Sequence, residues 1–270
     1  MKEVKIIPAT YAHYCFGKDV LQRISSEKKE KIQKNIDLFN IGLHGPDILF
    51  YYRPYISNKV SKYGYSMHSI SGEEFFSSAV KVCEKKGEEH LSYIYGFLCH
   101  FVLDAKSHGF VEEYVKSKGV SHTTIETEFD RFNVLKENKN PLKTTLTKHI
   151  KPNKTSARII AEFFGFVNRN RIYRAIKSYI FYSKILSIDT PVLKWAFKLI
   201  GKSDDYGGLI MSKTADFRCE ESNKELSKLY NEAVDIAVAA IENFPEFIYS
   251  DDLFKLNFDS ERREKSWDSN

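Results

Sequence analysis

Apolar positions along most of the chain recur every three or four residues, the period of a helix with one buried face. Ile32, Ile36 and Phe39 keep this spacing, and Gly42 with the Gly45-Pro46 pair ends the helix they predict. Ser71 stands three residues before Glu74, the pairing of a capping box, and opens a helix carrying Phe75, Ala79 and Val82. Leu91, Ile94, Leu98 and Phe101 form a stripe that runs on towards Tyr114, and Ile125, Phe129 and Phe132 mark the next helix. Ala157, Ile160, Phe164 and Val167 mark another, followed by helical patterns near 172–187, 191–200 and 220–244. Two-residue alternation bounded by turns is missing, so a sheet has little support. With no fixed-period repeat and no low-complexity linker, the expected architecture is all-α, one multi-helix domain over 1–250 with a polar C-terminal tail over 251–270.

Composition agrees with a large core. Of 270 residues, 42% are apolar and 29% charged, and the high aromatic share (14%) supplies bulky filling. No apolar run is long enough to span a membrane. Met1 to Ala12 offers only the short Ile6-Ile7 apolar piece, which is no secretory signal, so the chain is expected to be cytoplasmic. Cys15, Cys83, Cys99 and Cys219 show no metal or disulfide spacing and read as buried small residues. Cys99 beside His100 leaves a cysteine–histidine nucleophile as a minor alternative.

Charge is uneven. Residues 151–202 hold eleven Lys and Arg against only Glu162 and Asp189, a local +9; the chain total of +5 leaves −4 for the remainder. Arg and Lys interleave there with Phe163, Phe164, Tyr173, Tyr179, Phe181, Tyr182, Trp195 and Phe197. Core aromatics under a solvated basic face are the first explanation of that pattern. Peripheral contact with an anionic membrane is the second, and nucleic acid the third.

The chemistry concentrates in 100–126. His100, Asp104 and His108 stand four apart, and each step of four turns a helix by only about 40°, so all three project from one narrow face. His122 and Glu126 repeat the step on the following helix. A lone His-x-x-x-Asp pair is usually a surface ion pair. Two such units, set among Phe97, Leu98, Phe101, Val102 and Leu103, place ionisable groups in an apolar helix, where they need partners. Five imidazole and carboxylate donors on two helices suit zinc. Upstream, His13, Asp47 and His68 are further candidates, and His44, three residues before Asp47, is a candidate for lining the site. His90 and His149 read as structural or solvent-facing. Gly201-Lys202-Ser203 lacks the first glycine of a phosphate loop, and Gly64 to His68 is no nucleophile elbow.

The ordered series His13, Asp47, His68, His100, Asp104, His108, His122 and Glu126 resembles the ligand series of the zinc-dependent phospholipase C family. That family is related to the S1/P1 nucleases and to the amino-terminal domain of the glycosylphosphatidylinositol-specific phospholipase D. The resemblance implies an all-helical protein that uses two or three zinc ions to hydrolyse phosphate esters. It implies a first zinc held by Asp47, His68, His100 and Asp104, and a second by His108, His122 and Glu126. Asp104 then bridges towards a third near His13, and Asp47 serves as the base that activates water. The chain departs from the family in two ways. Secreted members complete the third site with an amino-terminal tryptophan, whereas twelve residues precede His13 here. Well-known members also place five residues, not three, between the carboxylate at Asp104 and the next histidine.

The implied function is phospholipase C-like hydrolysis of a phosphodiester, on a phospholipid or related head group. A nuclease or phosphatase with the same cluster, and a non-catalytic metal-stabilised protein that binds membrane or a partner, are the alternatives. Tyr14, Ser66, Ser107 and His44 are candidates to hold the second ring nitrogens of the ligand histidines.

Overall fold

The structure, a computed structural model, describes residues 9–186, 208 and 210–262. Its helices are α1 (Thr10–Arg23), α2 (Ser26–Lys34), α3 (Ile36–Gly42), α4 (Lys59–Met67), α5 (Gly72–Lys86), α6 (Glu88–Lys118), α7 (His122–Lys136), α8 (Lys154–Ala161), α9 (Arg169–Leu186), α10 (Glu220–Glu242) and α11 (Glu246–Ser250), with 3-10 turns at Gly45–Leu49, Phe217–Cys219 and Asp252–Lys255. Among the described residues there is no strand, only an isolated bridge between Leu256 and Arg262, so the fold is all-α as expected. No described helix is long and apolar enough to cross a membrane.

Short polar side chains start several helices by taking up free amides: Ser25 accepts from Lys28, Asn58 from Val60 and Ser61, Ser71 from Glu74, Ser121 from Thr124 and Asn153 from Ser156. Each such cap contributes about 1 kcal/mol. The helix expected through Ile32 and Phe39 is divided at Asn35, whose backbone (φ −127°) leaves the helical region. The one expected over 157–167 ends at Ala161. Phe164 and Val167 still reach the core, from the turn around Gly165.

Helix α6 is the axis. Its apolar residues point in every direction, so it is buried along most of its roughly 46 Å length, with α1, α2, α3, α5, α7, α8 and α10 packed around it. Helix α3 comes closest. A Cβ on Gly96 would stand 2.1 Å from the Phe39 carbonyl oxygen, and one on Gly42 would stand 2.3 Å from that of Tyr93. The two backbones touch, and this contact delivers the 45–49 turn to the middle of α6.

Residues 251–262, placed in a polar tail by their composition, pack into the core. Phe254 and Phe258 are fully buried against Phe76 and Phe101, and Ser260 donates to the Ala105 carbonyl and accepts from the Gly109 amide, both at 2.8 Å. Two large side chains thus outweigh the surrounding polar ones, and the packed unit extends past the boundary expected at 250. Residues 263–270 and the helix expected near 191–200 lie outside the described residues. All four cysteines are buried thiols; burial pushes the Cys99 thiol far above its ordinary range, so it is no nucleophile.

Gly96→Ala forces α3 off α6 and is expected to lower stability by about 3 kcal/mol, the upper end of overpacking costs. Urea unfolding that gives an unchanged midpoint would contradict the backbone contact.

Candidate metal centre

Four elements converge on one face of α6. His100, Asp104 and His108 project from that face at their steps of four. The chain reverses at Gly119–Ser121, so His122 and Glu126 of α7 come back alongside His108. Asp47 arrives on the 45–49 turn and His68 at the C-terminal end of α4. His13 sits in the first turn of α1. Gly45 is required where the turn meets α6: its backbone is left-handed (φ 44°), and a Cβ there would lie 2.1 Å from the His100 ring.

The eight residues form a continuous chain of contacts. Asp104 Oδ2 faces His100 Nε2 at 3.1 Å, while Oδ1 faces His13 Nε2 at 3.1 Å and His108 Nε2 at 3.6 Å. Asp47 Oδ1 lies 2.9 Å from His68 Nε2 and 3.9 Å from His100 Nε2. Glu126 Oε1 lies 3.1 Å from His122 Nε2 and 3.4 Å from His108 Nε2. Three groups each bring their donor atoms within 4.8 Å of one another: His13–His100–Asp104, Asp47–His68–His100 and His108–His122–Glu126. His100 therefore stands in two groups, and Asp104 falls with His13 rather than with Asp47 and His68.

His68 Nε2 and Asp47 Oδ1 form a hydrogen bond at 2.9 Å, but several of the other contacts are not ordinary hydrogen bonds. His100 Nε2, His122 Nε2, Asp104 Oδ2 and Glu126 Oε2 are buried with no hydrogen-bond partner, although donor and acceptor atoms stand near 3 Å apart. Ligands about 2.0–2.1 Å from a tetrahedral ion are about 3.3 Å from each other, so such atoms face a shared centre rather than one another. No Lys or Arg among the described residues pairs with Asp47, Asp104 or Glu126, so only imidazoles balance three buried carboxylates. A divalent cation fits this donor set in charge, in chemistry and in spacing.

Electrostatics follow from that crowding. Burial opposes ionisation of Asp104, but the imidazoles of His100, His108 and His13 outweigh it and hold the carboxyl well below its usual range. Glu126 is held at about 2 in the same way, by His122 and His108 acting against burial. Burial disfavours charge on His13, His108 and His122 too, yet the adjoining carboxylates raise all three. His100, fully enclosed and flanked by His13 and His68, is pushed down to about 4.

The groups behind the ligands were mostly missed in the sequence. His122 Nδ1 meets Glu112 Oε1 at 3.0 Å, and His108 Nδ1 faces Asp259 Oδ1 at 3.7 Å. A carboxylate therefore orients the His122 imidazole, while Asp259 lies beyond hydrogen-bond distance of His108 Nδ1. The expected candidates do other things: Ser66 donates to the Tyr63 carbonyl, and Tyr14 stacks on His149. His44 is buried beside the cluster but joins none of the three groups. It bonds His149 (2.7 Å) and the Tyr179 hydroxyl (3.0 Å), and burial keeps both histidines neutral, His149 at about 3. His90 is also buried, near Glu162. Asp130, one further step of four beyond Glu126, is fully buried; both its oxygens lie 3.0 Å from the Tyr11 amide, and Oδ1 accepts from that of Ala12 at 2.7 Å. It caps α1, which has no cap of its own, and so fixes His13. The run 122, 126, 130 was the available signal for it. Burial raises its carboxyl to about 7 despite those two amides.

The zinc dependent phospholipase C family model matches residues 12–181, a span that takes in every proposed ligand. The chain belongs to the zinc-dependent phospholipase C family. No curated protein and no solved structure matches it. Membership of a zinc-dependent family and three donor groups able to hold a metal ion are compatible with zinc binding at this site.

Zinc requires deprotonated imidazoles, and the adjoining carboxylates raise His13, His108 and His122 above 6.5. Protons and zinc therefore compete, and affinity rises with pH. Calorimetric titration is expected to show proton release near pH 7 and binding at least about tenfold tighter at pH 8 than at pH 6. Affinity independent of pH would rule out these histidines as ligands.

Proposed function

We propose that the protein hydrolyses phosphodiester bonds in the manner of a phospholipase C, with a phospholipid or a related head-group ester as substrate. The observation that carries this reading is the array of three carboxylates and five imidazoles, all but His122 buried, with atoms left over for a cation, in a chain of this family. Two or three zinc ions per chain correspond to the three donor groups.

Bound zinc supplies a water of pKa about 7 and a positive field for phosphate oxygens. The protein supplies the geometry. Helices α6 and α7 hold five donors on rigid backbone, and the Gly42–Gly96 contact sets the turn that carries Asp47. Asp47 Oδ1 faces His68 and His100; we assign Oδ2 as the atom that takes the proton from the water attacking phosphorus. Glu112 keeps His122 from rotating through its bond to Nδ1. Aromatic packing from Phe258 against both His68 and His100 limits water on that side and raises the strength of every charge interaction within.

The test is zinc content together with a panel of phosphodiesters: a phosphocholine ester, single-stranded DNA and a phosphomonoester. We expect two or three tightly bound zinc ions and chelator-sensitive cleavage of the phosphocholine ester in preference to the others. Protein that purifies without tight zinc removes the reading, and preferred cleavage of single-stranded DNA moves it to a nuclease. Asp104→Asn is expected to cost about a thousandfold in kcat/KM, several kcal/mol of lost transition-state stabilisation, and part of the metal. An active Asp104→Asn enzyme with full zinc would exclude Asp104 from the centre.

A further inference from the structure

We propose that the loop after the 45–49 turn and the outer line of α9 form the face on which this protein docks to an anionic phospholipid bilayer. The inference rests on the phospholipase C-like reading and adds where the substrate is presented.

The sequence marks these segments by what they lack. No Asp or Glu occurs between Asp47 and Glu73, or anywhere in α9. In the structure Arg53, Lys59 and Lys62 are exposed around the loop, and Asn170, Arg174, Lys177, Phe181 and Lys184 make one exposed line along α9 at steps of four and three. Several cations elsewhere on the surface have carboxylate partners: Lys31 with Glu27, Lys34 with Glu30, Lys118 with Glu221, Lys224 with Glu220. Arg53, Lys59, Lys62, Arg174 and Lys177 have no such partner among the described residues. Unpaired cations on two adjacent segments leave a positive field that complements an anionic leaflet.

Apolar tips stand among these charges. Tyr55 is 76% exposed, Ile56 53% and Phe181 58%. Rings link the two segments: Tyr51, beside the loop tip, packs on Tyr179 (4.8 Å) and Tyr182 (6.3 Å) of α9, and Phe181 packs on Tyr182 (5.3 Å). Aromatic and aliphatic tips ringed by Lys and Arg suit the bilayer interface, where the tips enter the acyl boundary and the cations meet head groups. A nucleic acid would use stacking rings and gains little from Ile56. The position agrees with the chemistry. Both α4 and α9 pack on the turn bearing Asp47, Phe50 packs on His68, and the loop runs directly from that turn into α4. The rest of the basic quarter divides differently: Lys151 pairs with Asp37 and Arg158 with Glu162, while Phe164 and Tyr179 are core.

Co-sedimentation of the zinc-loaded full chain with vesicles tests this, using phosphatidylcholine alone and phosphatidylcholine with about one-third phosphatidylserine. Hydrolysis of a soluble short-chain phosphocholine ester is the second readout. We expect binding to the anionic vesicles only, weakened by salt, and reduced about tenfold or more by Arg174→Glu with Lys177→Glu. The pair Tyr55→Ser with Ile56→Ser should also weaken binding, and both double variants should cleave the soluble ester as the parent does. Binding that persists when no ester is cleaved supports the surface and counts against the hydrolase reading alone. No binding to anionic vesicles at low salt, variants that bind as well as the parent, or single-stranded DNA competing the protein off vesicles overturns the proposal.

Discussion

Three carboxylates and four imidazoles lie buried in an apolar core, with a fifth imidazole, His122, half-buried at its edge and no Lys or Arg among the described residues to balance the acids, and this constraint organises the molecule. Isolated buried charges of this kind cost several kcal/mol each, a deficit that neighbouring imidazoles offset only in part. A divalent cation satisfies the leftover atoms and the leftover charge together. Binding of such a cation would stabilise the central helices, and acid would act on both by protonating the same donors.

The fold can be understood as the means of holding those donors still. Helix α6 carries three of them because it is enclosed by other helices and cannot rotate. Helix α7 carries two more and sends Asp130 across to cap α1, so the placement of His13 depends on a carboxylate well over a hundred residues away. Helix α3 touches α6 through backbone at Gly42 and Gly96, which leaves the adjoining turn no freedom to move Asp47. Of two further carboxylates, Glu112 bonds the outer nitrogen of His122 and Asp259 faces that of His108, and the second of these comes from the segment after α11.

Outside the core the same charge logic appears in reverse. Lys31, Lys34 and Lys224 have carboxylate partners one helical turn away, whereas no Asp or Glu occurs between Asp47 and Glu73 or within α9. Apolar tips sit among the cations of those segments, next to the buried turn that carries Asp47.

Much of this was legible along the chain because helical periodicity is local. Steps of four placed His100, Asp104 and His108 on one face and His122 with Glu126 on another, and the apolar residues around them announced burial. Those steps mark five of the eight candidate donors, and the family resemblance adds His13, Asp47 and His68. Local pattern did not determine which donors share a group: His100 serves two, and Asp104 turns its two oxygens in different directions, because that depends on how α1, α4 and the 45–49 turn approach α6. Composition placed 251–262 in a polar tail, since two phenylalanines among charges carry little weight in a count, although their buried area is decisive in the core. The basic quarter likewise divides into core, paired surface and open face only once its neighbours are known. The sequence by itself determined the helical pattern and the candidate donors of α6 and α7, because both depend on residues three and four apart. Only the tertiary structure decided their grouping, their supporting carboxylates and the exposed cationic face, because those depend on contacts between residues far apart in the chain.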